Sequence, residues 1–296
     1  SHLGLSALHT RRRSCAISGF AVDALQQQDS RAVSSMLAFR SVSASGLATA
    51  PLSTAPSARL RDLGFAVLPS RIDTALVTRC RSFARERLDA LLHKAALLGV
   101  DGVETAFSFT EVDHRARLRY DMALTDETDA AWSELCEQTL ALAAPVVEAA
   151  AGGSAARLCM SGVVTSRPGA ALQDWHDDGA AGLYTVFVPL VDVDANADGT
   201  EFYPASHVAD AGARDAVRSG AAPPATEAPA ALAGQPLVFD YRVLHRGLAN
   251  PSRERAVAYL VLATDGAYDG QNFCQMSLDD ALPAHVEQMC LWSDYE

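Results

Sequence analysis

The sequence predicts an α+β fold, with helices in its first half and a β-sandwich or barrel in its second. Three observations carry this. Two long stretches that read as helices come first, at 73–98 and 129–151. Short apolar or alternating runs follow, at 157–165, 183–190, 236–241 and 256–263. Turn-rich pieces such as Arg167-Pro168-Gly169 and residues 194–199 separate those runs.

Each element has a local reason. Residues 59–70 read as the end of a short helix, then a strand around Gly64–Leu68, then a turn. Asp73 is a good N-cap for the helix that follows, whose Leu76, Cys80, Phe83, Leu88, Leu91 and Leu92 fall on one side. The second long helix starts at Asp129 and stops at Gly152-Gly153, since glycine readily takes the left-handed conformation that ends a helix. Residues 199–207 contain a Gly turn, a short strand and a Pro-led turn. Residues 209–234, rich in Ala and Pro, read as a long loop.

Composition bounds the function. Of 296 residues, 49% are hydrophobic, ample for a core. No uninterrupted apolar run reaches the ~18 residues of a membrane span. The net charge of -12 is uneven: residues 1–57 hold five Arg and two Asp, a net of +3, so the remainder carries -15. An acidic body argues against a nucleic-acid partner. The first 57 residues suit an organelle transit segment or a disordered tail, with one domain over 58–296. Six scattered cysteines without a C-x-x-C pair suggest free thiols and an intracellular setting, cytoplasmic or organellar.

The chemistry concentrates in Gln173-Asp174-Trp175-His176-Asp177-Asp178-Gly179. His176 and Asp178 are two residues apart, and on a strand such residues share a face. A second imidazole from a distant strand would complete a two-histidine, one-carboxylate set, the pattern of non-haem Fe(II) oxygenases. His207 and His245 both qualify. The 31 residues from His176 to His207 are few for the strands of a double-sheet jelly roll, whereas His245, 69 residues on and just after a convincing strand, fits better. An H-x-D pair by itself often does no more than satisfy a local hydrogen bond.

Arg255 strengthens the case. A buried arginine near the metal would grip the distal carboxylate of 2-oxoglutarate in two-pronged fashion, with Thr185 as a hydroxyl partner. Arg253 has the same strand parity, so alternation does not separate the two, but Arg255 lies nearer the apolar run 256–263. Trp175, beside His176, is expected to point away into the core.

Taken in order, these residues resemble the phytanoyl-CoA dioxygenase-like family. The pieces are Leu63-Gly64-Phe65-Ala66-Val67-Leu68-Pro69, Arg167-Pro168-Gly169 ahead of Gln173-x-Trp175-His176-x-Asp178, and Val188-Pro189-Leu190-Val191-Asp192. They continue with Gly199-Thr200-Glu201-Phe202, Pro204-x-Ser206-His207, Phe239-Asp240-Tyr241-Arg242, and His245-Arg246-Gly247-Leu248-Ala249-Asn250. The resemblance spans about residues 58–275.

It implies a double-stranded β-helix core (a cupin-like jelly roll) flanked by N-terminal helices. Iron(II) would bind His176, Asp178 and His245, and 2-oxoglutarate would bind Arg255. The implied activity is hydroxylation of a small molecule with O2, releasing succinate and CO2. Halogenating relatives have Gly or Ala where this chain has Asp178, which points to a hydroxylase. Family members often read Pro-Gly-Ser-His where this chain has Ala205. Competing readings are a jelly roll with hydrolase or lyase chemistry at the same metal site, and a binding module without catalysis.

Overall fold

The computed structural model describes residues 55–104, 106–124, 129–195, 198–268 and 276–282. The predicted tail therefore lies outside the described residues except for its last three. Those three open a helix, α1 (Pro56–Leu63).

The chain then alternates as β1 (Phe65–Val67), α2 (Thr74–Leu97), β2 (Val112–Ala116), β3 (Arg119–Ala123) and α3 (Ala130–Ala150). After these come β4 (Arg157–Ser166), β5 (Leu183–Pro189), β6 (Thr200–Phe202), a 3-10 turn (Ser206–Val208) and α4 (Ala211–Arg218). Three strands finish the order: β7 (Leu237–Asp240), β8 (His245–Gly247) and β9 (Arg255–Ala263). Among the described residues no helix is long and apolar enough to cross a membrane.

The helix boundaries follow the capping chemistry. The Asp73 carboxylate accepts from Leu76 N at 2.9 Å, and Asp129 accepts from Ala131 N at 2.8 Å. Gly153 N donates to Glu148 O at 2.8 Å, which closes α3 where the Gly-Gly pair predicts. The expectation of a plain loop over 209–234 needs correction. Asp210 caps α4 by accepting from Ala213 N at 2.9 Å, and only Val217 of that helix is buried. At eight residues the helix is too short for its spacing to stand out among the Ala and Pro around it.

The architecture is mixed α and β, built on a seven-stranded antiparallel sheet of order β1-β7-β5-β9-β4-β3-β2. Strands β6 and β8 form a separate pair. Residues 170–178 run antiparallel beside β8 without regular strand structure. Bridges join Ala170 to Asn250 and His176 to His245, and Asp178 N donates to Tyr241 O at 2.9 Å. His176 and Asp178 therefore lie on an extended segment with ladder-like bonding rather than on a regular strand.

The two-residue repeat of the large sheet divides its side chains between two environments. Tyr120, Met122, Val186, Val188, Ala258, Leu260 and Leu262 pack with the helices in the principal core. Their neighbours Arg119, Asp121, Thr185, Phe187, Val257, Tyr259 and Val261 line a cavity of about 590 Å³, as does Arg255 at the start of β9. The opposite wall of that cavity carries His176, Asp178, His245 and Gly247.

Candidate metal centre

The two histidines and the aspartate converge. One ligand atom from each of His176, Asp178 and His245 lies within 4.8 Å of the others, and no other such group of three exists among the described residues. The imidazole rings are 4.5 Å apart between centroids, and His245 Nε2 is 3.7 Å from Asp178 Oδ1. The donor chemistry suits a divalent transition metal, which accepts imidazole nitrogen and carboxylate oxygen together.

The backbone sets which nitrogen of each ring faces the centre. His176 Nδ1 is 2.8 Å from Asp174 O, and His245 Nδ1 is 3.1 Å from Val243 O. A ring nitrogen facing a carbonyl must be the protonated donor, so each Nε2 keeps its lone pair for a metal. Burial pushes the His245 pKa below its usual value against the opposing charge of Asp178. That favours the neutral imidazole a metal needs.

The segment between the ligands is anchored from outside. Asp177 accepts from the guanidinium groups of both Arg214 and Arg218 on α4. Arg214 also donates to Ser206 O at 3.0 Å. Nothing in residues 209–234 read as sequence points to this anchor, because it forms only when α4 comes against a segment about forty residues earlier.

His207, the rival ligand, stands apart from the cluster. It is buried with Nε2 3.0 Å from Arg61 O, which holds the turn to the end of α1. The residue before that turn's serine, Ala205, takes φ 60° and ψ 8°, the left-handed conformation in which glycine is at ease and alanine is not. Trp175 is not a core residue: it is half-buried, with the Arg246 guanidinium 4.5 Å above its ring.

Arg255 and Arg253 separate cleanly. Arg253 is partly exposed and pairs with Asp198 at 3.0 Å. Arg255 is 4% exposed, lines the cavity, and makes two long hydrogen bonds, 3.4 Å to Gly199 O and 3.3 Å to Ser166 Oγ. On the sheet Ser166 faces Arg255 on β9 and Arg119 on β3, so the three form one row across adjacent strands.

Arg119 is one of four arginines, with Arg167, Arg242 and Arg246, that the sequence offers for an anionic substrate, and nothing local in the sequence sets it apart from the other three. It is buried, donates to the carbonyls of Ala171 and Leu248 at 3.0 Å each, and its Nε has no partner. A Cβ on Gly247 would collide with its guanidinium, so the glycine after Arg246 makes room for it. Neither Arg119 nor Arg255 forms an ion pair among the described residues. Burial pulls both pKa values down to about 10; Arg255 adds to the effect on Arg119, and Arg253 adds to that on Arg255 against the pull of Asp198.

Thr185 does not share a ligand with Arg255. It pairs with Val261, six residues along β9 from Arg255, or about 20 Å at a strand's rise per residue. Both residues line the cavity, but no single carboxylate reaches both.

A family model described as Phytanoyl-CoA dioxygenase (PhyH) matches residues 60–257, well over half of the chain. No curated protein sequence matches significantly. Among solved structures, AviO1 from Streptomyces viridochromogenes Tue57 superposes with a TM-score of 0.54 at 20% identity, covering 75% of this chain and 100% of that one. SnoN, described as a non-heme alpha ketoglutarate dependent epimerase from nogalamycin biosynthesis, superposes with a TM-score of 0.54 at 18% identity, covering 75% and 93%. HygX from Streptomyces hygroscopicus, solved with nickel and 2-oxoglutarate bound, gives 0.53 at 13% identity, covering 76% and 95%. At these identities the likeness is one of fold.

Proposed function

The chain belongs to the phytanoyl-CoA dioxygenase family, and from that premise we propose that it is an Fe(II)- and 2-oxoglutarate-dependent dioxygenase that hydroxylates a small molecule. The observation that carries this reading is one cavity holding both a two-histidine, one-carboxylate cluster and two buried guanidiniums that have no carboxylate partner among the described residues. In this reading the large sheet and the β6–β8 side are the two sheets of a double-stranded β-helix. The catalytic domain takes in residues 58–296 together with the start of α1 at Pro56. Among the described residues Cys80 and Cys159 form no disulfide, which suits an intracellular setting.

His176, Asp178 and His245 hold the iron. When bound, iron with 2-oxoglutarate supplies the oxidising power to hydroxylate a C–H bond with O2, forming succinate and CO2. The protein contributes position and charge. The carbonyls of Asp174 and Val243 fix the two imidazoles through Nδ1, so both Nε2 atoms aim at one point. Arg255 grips the distal carboxylate of the co-substrate, and Arg119 adds a second positive charge to the same row. A dianion there supplies the counter-charge that both arginines lack. Apolar side chains such as Val257, Val261 and Phe187 keep water from the rest of the cavity. In support, SnoN has been solved with Fe3+ and alpha ketoglutarate and HygX with nickel and 2-oxoglutarate.

Anaerobic addition of Fe(II) and then 2-oxoglutarate tests the reading. A weak visible charge-transfer band is expected in the wild type and not in Asp178→Ala, with succinate released in air. No band and no succinate from the wild type would refute it.

A further inference from the structure

Farther along the same face of the large sheet lies a second polar cluster that the chemistry above does not use. Arg115 donates from Nε and Nη2 to Asp121 Oδ2 at 3.0 and 2.9 Å, and its Nη1 pairs with Asp113 Oδ2 at 2.9 Å. Two carboxylates thus share one guanidinium, leaving one negative charge. Asp121 is 8% exposed, and its Oδ1 has no hydrogen-bond partner.

Tyr259 comes to this cluster from β9, two strands away. Its path is Gly162 on β4, the residue paired with it across the sheet. A Cβ at Gly162 would collide with the phenol, so the ring lies across β4 towards Asp121 on β3. Tyr259 is 6% exposed. The phenol lies against the carboxylate, close enough for its O–H to interact with it. Both line the cavity that contains His176, Asp178 and His245.

We propose that Asp121 Oδ1 and Tyr259 Oη form the subsite for a protonated amino group on the substrate. This rests on the dioxygenase reading above and names the substrate class it acts on. Asp121 Oδ1 keeps acceptor capacity toward the cavity among the described residues, the phenol oxygen beside it is a second acceptor, and an ammonium group brings three donors. The uncompensated negative charge selects a cation over an alcohol, and it repels a carboxylate. The two arginines at the other end of the cavity reserve that end for the anionic co-substrate, so an amine has one favourable orientation. The test reads succinate release from Fe(II)-loaded enzyme with matched probes: cyclohexylamine, cyclohexanol and cyclohexanecarboxylate, then glucosamine, glucose and glucuronate. At least one amine is expected to stimulate release about tenfold over its alcohol and acid, as a charge pair desolvated in the site should. Asp121→Asn and Tyr259→Phe should lose that stimulation while keeping the charge-transfer band with 2-oxoglutarate. Should Asp121→Asn fail to fold, Tyr259→Phe, which removes one oxygen, decides. Equal stimulation by alcohol or acid overturns the inference, as does stimulation that survives the substitutions. A normal band with no response to any amine overturns it too, and leaves the dioxygenase reading standing. Absence of the band in the wild type would instead strike the reading beneath.

Discussion

Replacing Arg255 by methionine should strengthen the metal-free fold and weaken 2-oxoglutarate binding at once. Arg255 is 4% exposed and has no carboxylate partner within ion-pair distance among the described residues. Its pKa stands at about 10 rather than 12.5, so burying the charge costs about 3 kcal/mol. Its two hydrogen bonds, at 3.4 and 3.3 Å, are long and return about 1 kcal/mol or less each. Methionine keeps most of the stem and removes the charge. The metal-free variant should therefore gain about 1–2 kcal/mol, or a few degrees in melting temperature for a domain of this size. With Fe(II) present and air excluded, titration of the charge-transfer band should show 2-oxoglutarate binding weakened about a hundredfold, near 3 kcal/mol, because a desolvated charge-assisted contact is lost. Arg253→Met, which removes a partly exposed arginine already paired with Asp198, should leave that titration unchanged. A metal-free Arg255→Met that melts below the wild type and binds 2-oxoglutarate as tightly would refute the idea that this charge waits for an anion.

Other substitutions probe separate parts of the argument. Thr185→Val should leave 2-oxoglutarate affinity within about twofold, given the distance along β9; a large loss would mean the co-substrate lies elsewhere. Gly162→Ala should cost about 1–3 kcal/mol in urea denaturation, because the new methyl group displaces Tyr259. Ala205→Gly, which relieves a left-handed alanine, should raise stability by up to about 1 kcal/mol in the same assay. Asp121 inverts the usual pH dependence of a carboxylate. Burial lifts its pKa from 3.8 to about 6 against the pull of Arg115, so the folded state holds the proton more tightly than the unfolded chain. Its contribution is therefore most favourable below pH 4 and declines by about 3 kcal/mol as pH rises through 6. Melting curves of wild type and Asp121→Asn from pH 4 to 7 should differ in slope by that decline; parallel curves would show that the carboxyl titrates normally.

Much of this was legible in the sequence because the features were local. Asp73 and Asp129 announce helix starts through capping, and the Gly152-Gly153 pair announces a stop. The runs ending at Asp240 and Ala263 are apolar enough to read as strands. The spacing of His176 and Asp178 survives the loss of a regular strand, since an extended segment bonded to residues 241–250 keeps both side chains on one side. What escaped was non-local. Arg119 acquires its importance only when β3 pairs with β4 and β4 with β9. Strand β2 (Val112–Ala116) lacks the apolar alternation that marks a strand, and in β3 only Tyr120 and Met122 alternate with Arg119 and Asp121, too short a run to stand out. Helix α4 buries a single side chain, and its ties to Asp177 link residues about forty positions apart. Trp175 misled because on an irregular segment the neighbour of an inward residue need not face the core.

The alternation of the large sheet has a further consequence for how such a protein changes. One set of positions faces the helices and decides whether the chain folds. The interleaved set, including Val257, Tyr259, Val261, Met160 and Val164, faces the cavity and decides what enters. Substrate preference is thus written largely on residues that pack in a second, smaller cluster, apart from the helix-side core. Mutations there change what enters while leaving the helix-side core intact, whereas a one-residue insertion or deletion within β9 would exchange the two alphabets and destroy both messages together.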